Sequence, residues 1–180
     1  LIMRALATVF LFLMTFSAAL HAETPAPAVL IFDSSGSMAA KEPDGTVKLD
    51  AARKIVADTL KAWPADGQLA VIAYGHRRKS DCADIETLVE MAPVAADKIA
   101  ARLKSLKARG KTPISQSLRQ AAALLPGKGG AIILVSDGIE TCDADPCAVA
   151  RDLKKAQPAL TIHVVGFGLA KGEAAQLSCI

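Results

Sequence analysis

What this chain lacks narrows its function first. It carries no excess charge of one sign: 21 Lys and Arg stand against 18 Asp and Glu, a formal net charge of +3, too small to argue for nucleic acid as a partner. It has no internal repeat, no long low-complexity stretch and no sign of a second domain. Catalytic patterns are missing too. A serine hydrolase needs a Gly-x-Ser-x-Gly turn, which Ser34-Ser35-Gly36 does not supply. A phosphotransferase working through an aspartyl phosphate usually carries a second acid two residues after the nucleophile, and after Asp33 that position is Ser35. His76 and His163 have no evident nucleophile beside them. His163 lies within a strand pattern and reads as a core or sheet-face residue. Zinc is disfavoured, because the four cysteines offer only Cys142-x-x-x-x-Cys147, with no close second pair and no neighbouring histidine. These absences point away from an enzyme.

At 180 residues the chain suits one domain plus a short extra segment. The hydrophobic share, 52%, is raised by the amino terminus. Arg4 precedes an uncharged apolar run from Ala5 to Leu20, and Leu20-His21-Ala22 then precedes Glu23. This layout predicts a signal peptide over residues 1–22. The alternative is an uncleaved anchor, since the run is only slightly short of a spanning helix. Contact with a membrane is expected only in that case. Leu1-Ile2 ahead of Met3 suggests that Met3 is the natural start. Residues 23–27, with Pro25 and Pro27, read as a linker, and residues 28–180 as the domain. Cys82, Cys142, Cys147 and Cys179 suit a secreted or periplasmic protein, because disulfides form in oxidising compartments.

Strand and helix patterns alternate along the domain. Val29 to Phe32 and Ala131 to Val135 are apolar runs of the kind buried on both faces of a parallel sheet. Leu49, Ala52, Ile55, Val56, Leu60 and Trp63 have helical spacing, stopped by Pro64 and Gly67. Gln68 to Tyr74 reads as a buried strand, Gly75 to Cys82 as a polar loop, and Ile85 to Met91 as an antiparallel edge strand. Asp97 to Lys107 is amphipathic, with Ile99, Leu103 and Leu106 inward, and Ser115 to Leu125 is a further helix. Asp145-Pro146 makes a helix start, an N-cap followed by Pro at the first helical position, and the helix stops before Pro158. Thr161 to Phe167 reads as a strand, with a helix from Lys171. The order is that of an α/β fold with a mostly parallel sheet, one antiparallel edge strand and helices on both faces.

Open α/β sheets place ligands at the carboxyl ends of their strands. There the first strand delivers Asp33-Ser34-Ser35-Gly36-Ser37, one carboxylate and two hydroxyls on a tight turn. Alone this is weak, because Asp and Ser are common turn and capping residues. Two further segments add to it. Gly110-Lys111-Thr112-Pro113 places a Thr before a helix, and Ser136-Asp137-Gly138 ends the later buried strand in an acid. Oxygen donors of this kind suit hard divalent cations.

With these three segments the chain resembles the von Willebrand factor type A domain family from about residue 27 onward. The resemblance implies a metal-ion-dependent adhesion site formed by Asp33, Ser35, Ser37, Thr112 and Asp137. Ser35 and Ser37 would bind the cation directly. Asp33 and Asp137 would hold its waters, and Thr112 would bind directly or through water. The cation is expected to be Mg²⁺, with Mn²⁺ or Ca²⁺ as alternatives. The implied ligand is a protein offering an acidic residue. The implied strand order is 3-2-1-4-5, and the family's usual sixth strand and closing helix are not evident, so the domain reads as truncated at its carboxyl end. In that topology all four cysteines lie near the sheet's carboxyl edge. Cys82–Cys142 with Cys147–Cys179 is the preferred pairing, and a small Cys142–Cys147 loop is the alternative. The basic run His76, Arg77, Arg78 and Lys79 is either a solvated turn or a rim that attracts an acidic partner. The expected function is metal-dependent protein binding outside the cytoplasm. A structural or regulatory module of a cell-envelope complex is the alternative, and a Mg²⁺-dependent phosphotransferase a remote third. An intracellular subunit of an ATPase machine, such as a chelatase, fits poorly with the leader.

Overall fold

The structure is a computed structural model that describes residues 25–127, 129–169, 172, 174 and 177–180. The expected signal peptide and the first two linker residues lie outside these. Among the described residues the chain forms a five-stranded sheet in the order β3-β2-β1-β4-β5. The strands are β1 (Ala28–Asp33), β2 (Gln68–Tyr74), β3 (Ile85–Pro93), β4 (Gly129–Ser136) and β5 (Ala159–Gly166). β3 runs antiparallel to β2, and all other neighbours are parallel. Between the strands lie the helices α1 (Lys48–Lys61), α2 (Ala96–Ser105), α3 (Ile114–Leu124) and α4 (Pro146–Ala156). Among the described residues no helix is long and apolar enough to cross a membrane.

β1 is apolar without interruption because it is the central strand, covered on both sides. Its residues alternate between two cores. Ala28, Leu30 and Phe32 pack with Leu49, Val56 and Leu60 of α1 and Ile99 and Leu103 of α2. Val29 and Ile31 pack with Leu118 and Ala121 of α3 and Val149 of α4. Each fully buried Leu, Ile or Phe contributes roughly 1.5–3 kcal/mol relative to exposure. The two cores therefore fix β1, and with it the position of Asp33.

Helix ends follow local chemistry. Asp145 accepts a hydrogen bond from Ala148 N at 3.0 Å, and Pro146 takes the first position of α4. α1 stops at Lys61, two residues before Trp63, because Pro64 disfavours helical geometry at the residue before it. Trp63 therefore packs from outside the helix.

Two residues behave differently from their sequence pattern. Ile55 shares the helical spacing of α1 but is 45% exposed, at the border of the core rather than within it. His163 is on a sheet face, but an exposed one, since β5 is an edge strand that turns Leu160, Ile162 and Val164 inward. Gly172, Ala174 and Leu177 are helical, as expected beyond Lys171, Ser178 and Cys179 form a turn, and Lys171, Glu173, Ala175 and Gln176 lie outside the described residues.

The cysteines pair as Cys82–Cys142 and Cys147–Cys179, with Cα–Cα distances of 5.7 and 5.4 Å. The first joins the β2–β3 loop to the loop after β4. The second ties α4 to the last residues of the chain. The small-loop alternative does not form.

Candidate metal centre

Asp33 ends β1 with a fully buried side chain. Its Oδ1 accepts Ser35 N at 2.7 Å, and its Oδ2 accepts Ser136 Oγ at 2.5 Å. Tyr74, the last residue of β2, donates its hydroxyl to Ser136 Oγ at 3.2 Å. Burial pushes the Asp33 carboxyl above its ordinary range, the hydrogen bonds from Ser136 and Ser35 oppose that rise, and the nearby Asp137 charge adds to it. Burial, together with the negative charge of Asp33, also holds the Tyr74 phenol protonated, well above its ordinary value.

The chain then turns through a short 3₁₀ segment, Gly36–Ala39, anchored by the buried Met38. This turn brings Ser35 Oγ and Ser37 Oγ to 3.0 Å of each other. Ser37 Oγ donates to Asp137 Oδ1 at 2.6 Å. Asp137 Oδ2 accepts Lys48 Nζ at 2.9 Å, and the Asp137 side chain has no exposure.

Thr112 arrives on a strap that crosses the sheet edge. Arg109 N and Gly110 N donate to Gly75 O at 3.2 and 2.8 Å, and Gly36 N donates to Gly110 O at 3.0 Å. Gly75 has φ of +69°, and a Cβ there would lie 2.6 Å from Lys111 O and 2.9 Å from Ser35 Cα. Only glycine allows this approach of three backbones. Thr112 N donates to Thr141 Oγ1 at 2.8 Å, and Thr141 N donates back to Thr112 O at 3.1 Å. Glu140 fixes the same loop, accepting Ser115 N at 2.8 Å and Cys142 N at 2.9 Å. Ser37, Thr112, Asp137 and Lys48 line one surface depression, with Asp33 and Ser35 buried beneath it.

All five sequence-selected residues thus gather from three element ends. Sequence reasoning missed Lys48, Ser136, Tyr74 and Thr141. Ser136 adjoins Asp137 and was open to inspection, but Lys48 lies 89 residues from Asp137 and carries no local signal.

The basic run is exposed at Arg77, Arg78 and Lys79, and three of its four side chains meet acids of the same hairpin. His76 is largely buried and bonds Glu86 Oε2 at 2.9 Å. Arg77 pairs with buried Asp84 at 2.6 Å and with Glu86 at 3.4 Å, and Arg78 pairs with Asp81 at 2.9 Å. Lys79 is exposed. Most of the charge is thus matched within the hairpin, at Asp81, Asp84 and Glu86.

The donor set is chemically suited to a hard cation. An octahedral Mg²⁺ shell with bonds of about 2.0–2.1 Å places adjacent ligand oxygens about 2.9 Å apart. The Ser35–Ser37 hydroxyl separation of 3.0 Å matches such an edge. Among the described residues there is no cluster of three or more His, Cys, Asp and Glu that could hold a metal, and the candidate donors gathered here are two carboxylates and three hydroxyls.

Residues 28–140 match the von Willebrand factor type A domain. The chain belongs to this family. The uncharacterized protein YwmC of Bacillus subtilis (strain 168) is 28% identical over 171 residues, covering 89% of this chain and 74% of YwmC. Among solved structures, an aerotolerance-related membrane protein from Bacteroides fragilis superposes with a TM-score of 0.65 at 19% identity, over 81% of this chain and 69% of that one. The pilus adhesin SpaC from Lactobacillus rhamnosus GG superposes with a TM-score of 0.66 at 19% identity, over 82% of this chain and 25% of SpaC. At this identity the two structures speak for a shared fold, the Rossmann-like arrangement seen here.

Proposed function

We propose that this von Willebrand factor type A domain is an exported protein-binding module that holds an acidic ligand through a divalent cation. The reading rests on one observation above the others: the oxygen chain Ser35 Oγ, Ser37 Oγ and Asp137 Oδ1, linked at 3.0 and 2.6 Å, at an open depression that Thr112 also lines. Asp33, Ser35, Ser37, Thr112 and Asp137 would hold the cation, Mg²⁺ first. Bound there, the metal would supply an electrophilic centre for a partner's carboxylate. Ser35 and Ser37 would offer uncharged oxygens, and Asp33 and Asp137 would balance the charge. Tyr74 and Ser136 keep Asp33 in place. Two disulfides support export, since such bonds persist in oxidising compartments. SpaC, which shares the fold, is described as a pilus adhesin. No hydrolytic or phosphotransfer role is proposed.

A second reading, a structural module of an envelope complex that needs no metal, draws on the Lys48–Asp137 pair, which already neutralises one carboxylate. Calorimetry separates the two. Mg²⁺ and Mn²⁺ should bind the wild type and fail to bind Asp33→Asn, which keeps the size of the side chain. Equal metal affinity in the two proteins refutes the proposed site.

A further inference from the structure

Among the described residues Lys48 is the one cation lining the site, and nothing in the metal-binding pattern calls for it. It opens α1, and its backbone N–H is pinned to Ala40 O at 2.9 Å, so its position can change only through the side chain. That side chain is 14% exposed and lays its ammonium on Asp137 Oδ2 at 2.9 Å. Asp137 is one of the two carboxylates that would balance a divalent cation. Ammonium and metal are therefore rivals for the same charge, and they repel each other at the distances the site allows.

A second acceptor lies close by. Glu42 Oε1 is shielded from solvent and has no hydrogen-bond partner among the described residues, an arrangement that costs stability unless a donor reaches it. Glu42 sits on the turn leading into α1, with its N–H donated to Thr46 O at 2.8 Å. A Cβ on Gly168 would lie 3.0 Å from Glu42 Oε1 and 3.0 Å from Lys48 Nζ, so those two atoms are at most about 6 Å apart. No ion pair joins them. The same Cβ would stand 2.8 Å from Lys48 Cε, and Gly168, at φ +49°, leaves that lane open. The ammonium thus has an occupied acceptor and a waiting acceptor, with no side chain on Gly168 to stand between them.

We propose that Lys48 is a tethered competitor of the metal: it caps Asp137 in the metal-free protein and passes to Glu42 when a divalent cation binds. This inference rests on the metal reading above. Its consequence is a set point. The site stays closed at low metal concentration, and the displaced lysine finds a partner instead of a penalty.

The test is calorimetry of Mg²⁺ and Mn²⁺ with the intact oxidised chain, together with thermal unfolding in chelator and in metal. Lys48→Met keeps the apolar stem and removes the charge. It should raise metal affinity about tenfold or more and enlarge the melting-temperature rise that metal produces. Glu42→Gln should lower affinity several-fold in the wild type and have no effect in the Lys48→Met background, because it acts only through the lysine. Lys48→Arg keeps the charge and should bind no more tightly than wild type, which preserves the test should Lys48→Met fold poorly. Unchanged or weaker affinity in Lys48→Met, equal effects of Glu42→Gln in both backgrounds, or tenfold tighter binding by Lys48→Arg each overturn the proposal. If neither wild type nor Lys48→Met takes up metal, the metal reading itself falls and carries this inference with it.

Discussion

Removing the Asp84 carboxylate should unfold the corner of the domain that supports Thr112. Asp84 is fully buried at the base of the β2–β3 loop. Its carboxylate accepts Arg77 N at 2.7 Å, Arg78 N at 2.9 Å and Arg77 Nε at 2.6 Å. Asp84→Ala leaves two loop N–H groups without an acceptor. Hydrogen bonds to a charged group contribute about 1.5–3 kcal/mol each where buried. The Arg77 guanidinium is 42% exposed and can return to water, so its share is below about 1 kcal/mol. The expected loss is about 3 kcal/mol, or a melting temperature lower by roughly 10 °C for a domain of this size. Urea unfolding of oxidised protein measures it. Arg77→Ala, which removes only the guanidinium, should cost about 1 kcal/mol or less. A loss below about 1 kcal/mol in Asp84→Ala, or equal losses in both variants, refutes the assignment of the energy to the buried N–H groups. The acid limb gives an independent check. Burial alone would raise the Asp84 carboxyl, but the N–H of Arg78, the side chain and N–H of Arg77, and the Arg77 charge hold it below its ordinary 3.8. A lowered folded value means that the stabilisation is full above the unfolded value and is lost as pH falls through the folded one. Wild type should therefore lose stability below about pH 4 more steeply than Asp84→Asn. Parallel acid limbs would sink the argument.

The remaining expectations concern covalent and steric ties around the same site. The Cys82–Cys142 bridge closes a sequence separation of 60 residues, so replacing both cysteines with serine should cost about 4 kcal/mol on the chain-entropy account, read from urea midpoints; a loss under about 1 kcal/mol would show that the loops are held by other contacts. Gly75→Ala forces a Cβ into the backbone of Lys111 and Ser35 at a left-handed position, and should destabilise by more than about 2 kcal/mol while weakening Mg²⁺ binding. A stable variant with unchanged metal affinity would show that the strap and the serine turn do not depend on each other.

The sheet and its two faces were legible because burial on both sides leaves a plain mark. A short uninterrupted apolar run such as Val29 to Phe32, rich in β-branched and aromatic residues, suits a central strand in a layered α/β fold, and the helices between runs showed their inward stripes. That Asp33, Ser35, Ser37, Thr112 and Asp137 gather at one edge was expected from the family resemblance, since the positions of these residues at element ends are a weak signal by themselves. The cysteine pairing was the preferred one of two left open by the strand order that the resemblance implied, and the structure forms it. The edges were harder. A strand covered on one side keeps a mixed pattern, so exposure of His163 and Ile55 could not be read from spacing alone.

Charge was where local reading stopped. His76, Arg77 and Arg78 left a solvated turn and a basic rim both open, because sequence shows only that like charges are adjacent. Their partners Asp84, Glu86 and Asp81 come into place through the turn of the hairpin. Lys48 and Asp137 meet only because α1 starts and β4 ends at the same edge of the sheet. Ser136 reaches Asp33 for the same reason, from a neighbouring strand in register. The amino-acid order by itself determined which elements form and which donors stand at their ends, because periodicity and capping act within a few residues. Which charges neutralise one another was decided by tertiary packing, because Coulomb interaction depends on distance in space and is indifferent to distance along the chain.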